Sequence, residues 1–136
     1  MRSIETVTLD DARRVIAAGE EEAARQGQPM NIAVVDAGGV LVAHIRQDGA
    51  WIGSVDVAIN KAFSARAFDV STQGLADNAQ PGGQFYGIQD SNHGRIMIFA
   101  GGVPLMSGEA VVGAVGVSGG TGEQDQAVAT AAAAAL

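Results

Sequence analysis

No cysteine occurs in the 136 residues, which removes disulfides, zinc–thiolate centres, iron–sulfur clusters and a thiol nucleophile together. Basic residues are scarce: 8 Lys+Arg stand against 15 Asp+Glu, for a net charge of -7. The positive footprint that nucleic acid or an anionic membrane requires is missing, so neither is expected as a partner. Aromatic residues make up 4% of the chain, four Phe, one Trp and one Tyr. So thin a supply counts against a site that must press rings onto a large flat ligand. Long hydrophobic runs are also absent. The longest, Ile96 to Met106, is interrupted by Gly101-Gly102 and Pro104 and covers about half a membrane span. The opening MRSIETVTLDD turns acidic before an apolar export segment can form, so a cytoplasmic location is expected.

What is present suffices for a core. Hydrophobic residues account for 47% and charged residues for 17%, a globular balance, and the length suits one domain over 1–136. Thr8 followed by Asp10 and Asp11 predicts a capped first helix, with Val15, Ile16, Ala18, Gly19 and Ala23 as its apolar stripe, ending near Gly27. Asn31–Asp36 and Val40–Arg46, joined by Ala-Gly-Gly, predict a hairpin. Both faces of its first strand are apolar and need covering. A second helix is expected from Ser54 to Phe68, then a long loop over 71–89 with a short helical turn after Thr72. Three further strands fit Arg95–Phe99, Val103–Met106 and Ala110–Ser118, before an alanine-rich helix capped by Thr121. The order is that of an α+β domain with an antiparallel sheet between helices.

Lys61 is the only lysine, set midway along an otherwise apolar helix. It is either a snorkelling side chain or a fixed cation for a carboxylate. Glu109, at the entrance of the last strand, is either a turn residue or, if that strand packs beside the second helix, the partner of Lys61. By alternation His44 and Arg46 share a strand face with Val42. His93 occupies the turn Ser91-Asn92-His93-Gly94-Arg95. The two histidines lie 49 positions apart, without the close spacing of a zinc or non-haem iron site, so no such metal is expected. Haem needs a single axial side chain and survives that argument. Gly116-Val-Ser118-Gly-Gly120 matches GxSxG letter for letter, but the nucleophile elbow belongs to a much larger parallel-sheet fold. Gly113 and Gly116 lie inside a strand rather than in a phosphate-binding turn, where they more simply admit another backbone.

Val35-Asp-Ala-Gly-Gly39, Arg46-Gln-Asp-Gly-Ala50, Lys61-Ala-Phe63, Gly94-Arg-Ile96, Gly101-Gly-Val-Pro-Leu105 and the run from Gly108 to Gly120, with Asp125 after it, form a set. Over nearly its whole length the chain resembles the GlcG/HbpS family, whose members also occur as the C-terminal domain of PduO-type proteins. The resemblance implies a profilin-like three-layer fold with a five-stranded antiparallel sheet. It also implies homo-oligomers, often octamers, with ligand pockets near subunit interfaces. Haem or another tetrapyrrole is the ligand it implies. Carried over by motif, Asp36, Arg46, Asp48, Lys61 and Glu109 are its pocket candidates. His44 departs from the pattern, since an aromatic or aliphatic residue is more usual there.

Three readings of function follow. One is an assembly or accessory protein without a small ligand, in which the apolar helix and the glycine strand serve only subunit packing. The other two involve a small molecule. In the first of these, the protein binds it, with Lys61 and Arg46 on haem propionates and His44, His93 or Tyr86 at the iron. In the second it is an isomerase, lyase or hydrolase of a small organic acid. Lys61 and Arg46 would then bind the carboxylate, and Glu109 or Asp36 would move a proton.

Overall fold

The computed structural model describes residues 1–136. Thr8 opens helix α1 (Leu9–Gln26): its hydroxyl accepts from the Asp11 amide while the Asp11 carboxylate accepts from the Thr8 amide. Gly27, left-handed at φ 65°, ends it. The hairpin is formed by β1 (Asn31–Asp36) and β2 (Leu41–Arg46). Helix α2 (Gly53–Phe68) follows, then α3 (Thr72–Asn78) capped by Ser71. A turn of 3-10 helix over Ile88–Asp90 and a four-residue turn α4 (Ser91–Gly94) lead to β3 (Gly102–Ser107) and β4 (Ala110–Ser118). The chain finishes in α5 (Gly122–Ala133), capped by Thr121.

The sheet has four antiparallel strands in the order β2-β1-β4-β3. This corrects the five expected. Residues 95–99 form no strand, because the segment is bound to α2 instead of to a neighbouring ladder. The Met97 amide donates to the Ser64 hydroxyl at 2.8 Å, and Ile96 is buried beneath. An amide spent on a helix side chain cannot extend a sheet.

Helices cover both faces. On one, Val15, Ile16 and Ala23 of α1 and Val128, Ala129 and Ala132 of α5 pack with Ile32, Val34, Val115 and Val117 of the sheet. On the other, Ala62 and Ala65 of α2 meet Val35 and Ala114. The α2 side is built from small residues because helix and sheet touch backbone to backbone. A Cβ on Gly116 would collide with the Ala58 carbonyl and lie 2.5 Å from the Ala62 nitrogen. The strand glycine thus admits another backbone, as its position in the sequence suggests.

Candidate functional site

Lys61 projects from α2 into a sealed space between the end of β4, the start of α5 and the chain entering β3. It is fully buried. Its Nζ donates to the Val117 carbonyl at 2.8 Å and to Asp125 Oδ2 at 2.9 Å, and stands 4.8 Å from the centre of the Phe99 ring. Burial pulls its pKa below the usual lysine value, and the Asp125 carboxylate opposes that pull. The other oxygen of Asp125 accepts from the Gly120 amide at 2.9 Å, so one carboxylate ties α2 to the turn that leads from β4 into α5. Gly101 completes the enclosure, since a Cβ there would lie 2.8 Å from the amine.

The acid facing Lys61 is therefore Asp125, not Glu109. Glu109 sits exposed in the β3–β4 turn, eight residues up the strand from Val117, or roughly 26 Å at strand rise. The sequence offered Asp125 as the residue that follows the Gly108–Gly120 run, near the start of a helix where an acid commonly serves the helix dipole, and not as a partner for Lys61. The demand of a buried ammonium for a partner was the signal that could have found it.

Asp36 is committed to the hairpin, its Oδ1 accepting from the Gly38 amide at 2.8 Å and the Val40 amide at 3.0 Å. Asp48 is exposed in the turn after β2. Ser118 is buried at the end of β4, in register with Asn31, and no histidine is bonded to it. A hydrolase triad is not assembled. The glycine-rich entry to α5 is equally occupied: Asp125 takes the Gly120 amide and Gln124 the Thr121 amide.

His44 and Arg46 share the sheet face toward α2, in register with Ala33 and Asn31 respectively. Here β2 is an edge strand only partly covered. His44 is half-buried, and its Nε2 lies 3.0 Å from Oδ1 of fully buried Asn31. Burial, and then the nearby Arg46 charge, hold its pKa below the ordinary histidine value, so the neutral ring is favoured. Arg46 is exposed, reaching the Ala50 carbonyl at 3.4 Å. Trp51 and Ile52, which follow that turn, are exposed apolar side chains at 63% and 79%. His93 is exposed in α4 in a left-handed conformation, φ 60°, between left-handed Asn92 and Gly94. Tyr86 is exposed in the loop before it. The sequence-derived site residues thus divide between a closed ion pair, structural turns and one open face at β2.

The family described as "Haem degrading protein HbpS-like" matches residues 7–134. The crystal structure of Klebsiella pneumoniae protein ORFY is 41% identical with a TM-score of 0.96, covering 100% of this chain and 96% of that one. A PduOC:haem complex is 32% identical with a TM-score of 0.92, covering 96% and 95%. A 15.0 kDa protein of the dhaT-dhaS intergenic region of Citrobacter freundii is 41% identical over 131 residues, 96% of this chain and 92% of its own. No helix is long and apolar enough to cross a membrane. By the extent of these matches, the chain belongs to the HbpS-like family.

Proposed function

We propose that the protein binds haem or a closely related tetrapyrrole at the open β2 face, with His44 as axial ligand and Arg46 as a propionate partner. The observation carrying this reading is the half-exposed imidazole of His44, its neutral form favoured, on the same face as the exposed guanidinium of Arg46. A neutral imidazole is the usual axial donor to haem, and an arginine two residues along the face stands about 7 Å away at strand spacing. The donor chemistry fits the group. Bound iron would supply the ligand-exchange and redox chemistry; the chain supplies the donor, the cation and the shielding. Lys61 takes no part in propionate binding, because its amine is sealed and spent. Likeness to a PduOC:haem complex supports the same reading.

One protomer presents only part of the apolar wall a macrocycle needs. The most apolar cavity, about 270 Å³ between Phe68, Val70, Leu75, Phe85 and Ile88, lies on other elements. A second copy packed over Trp51 and Ile52 would complete the wall, which makes a homo-oligomer part of the proposal.

Titration of the purified protein with haemin tests it. A saturable Soret shift at micromolar protein is expected, weakened at least about tenfold by His44→Ala and unchanged by His93→Ala. No shift in the parent protein, or an undiminished one in His44→Ala, overturns the reading.

A further inference from the structure

Asn31 is fully buried, and both ends of its amide are engaged. Its Nδ2 donates to the Trp51 carbonyl at 3.1 Å, while Oδ1 meets His44 Nε2 at 3.0 Å. A carbonyl only accepts, so the Trp51 contact dictates which end of the amide carries nitrogen. The oxygen is thereby turned to the imidazole, and the proton in that hydrogen bond belongs to Nε2. His44 Nδ1 has no hydrogen-bond partner, and no buried side-chain nitrogen or oxygen in the molecule lacks one. Nδ1 is therefore on the accessible side of the ring.

We propose that Asn31 is a positioning residue that locks His44 as the Nε2–H imidazole and presents Nδ1 as the nitrogen that ligates haem iron. Sheet register accounts for the choice of residue. The position directly across from His44 is Ala33, which has no polar group to offer; Asn31 is the diagonal neighbour on the same face, within reach of a long side chain. A ligating histidine whose remote N–H is held by a fixed oxygen keeps one tautomer and one ring orientation. An amide oxygen does this without adding negative charge, so the ring stays a neutral donor. The identity of the metal rests on the haem-binding reading, whereas the tautomer stands without it.

The test separates the two. Haem-free protein carrying ¹⁵N-histidine is examined by long-range ¹H–¹⁵N correlation well above pH 6.5, the ordinary histidine pKa, with exposed His93 as the internal reference for an unconstrained ring. His44 should show a protonated Nε2 and a bare Nδ1, beyond the tautomeric average of His93. In Asn31→Ala its shifts should move toward that average. A protonated Nδ1, or His44 shifts equal to those of His93, overturns the proposal from the parent spectrum alone, whether or not the variant folds. Identical His44 shifts in parent and folded Asn31→Ala overturn it too. With haemin, Asn31→Ala should bind about 10- to 100-fold more weakly than the parent, and equal affinity counts against the proposal. If the parent binds no haemin, the functional reading falls, and the role of Asn31 as ligand positioner falls with it; the ¹⁵N spectrum still decides the tautomer.

Discussion

Lys61 and Asp125, 64 positions apart in the chain, close on each other at 2.9 Å inside the protein. The pair is a brace between layers: α2 supplies the cation, α5 the acid, and the Val117 carbonyl of β4 the second acceptor. Removing one partner strands the other in a dry site. Asp125→Asn or Lys61→Met is expected to cost about 3–5 kcal/mol. The double variant Lys61→Met with Asp125→Leu should recover much of that loss, because replacing a whole buried pair with apolar side chains is often near neutral. Denaturant unfolding of the four proteins checks this.

Glu109 gives the contrasting case. Exposed in a turn and remote from the amine, it should tolerate Glu109→Gln within about 0.5 kcal/mol. A loss comparable to that of Asp125→Asn would contradict the pairing.

Gly116→Ala is expected to destabilise by about 3 kcal/mol or more, as an overpacked core position. The added methyl meets helix backbone at Ala58 and Ala62, not a side chain that can swing away. Thermal unfolding reads the loss, and an unchanged midpoint would refute the backbone-to-backbone contact.

His44 makes stability depend on pH in a defined direction. Its folded pKa lies below the ordinary histidine value of about 6.5, from burial first and the Arg46 charge second, so the unfolded chain binds the proton more readily. The contribution is complete above about pH 6.5 and is lost as pH falls from there through the lower folded value. Thermal midpoints taken downward through this window should fall less steeply for His44→Gln than for the parent. Equal slopes would show that the ring is not held neutral.

Element type and order were legible wherever local chemistry decides them. Thr8 and Thr121 announce caps that the structure contains, Gly27 announces the end of α1, and the Gly38-Gly39 turn joins the hairpin. Arg95–Phe99 misled because its apolar run has the composition of a strand, while its fate depends on the Ser64 hydroxyl, a tertiary competitor for the Met97 amide. The site was legible by face but not by partner. Alternation places His44 beside Arg46, yet Asn31 read as the polar start of a strand. Lys61 stood out as a lone cation on an apolar helix, open to a snorkelling reading, a ligand carboxylate or Glu109, whereas the structure pairs it with Asp125. Which acid depends on how α5 folds back across the sheet end, and no local pattern carries that.

Sealing the sole lysine has a practical corollary. Every other cationic side chain is arginine or histidine, so the folded surface carries no side-chain amine. Succinimidyl esters, acetylating agents and Lys-specific proteases can reach Lys61 only when the layers separate. The rate of its acylation therefore clocks opening of the native state, a built-in chemical reporter that needs no engineered label.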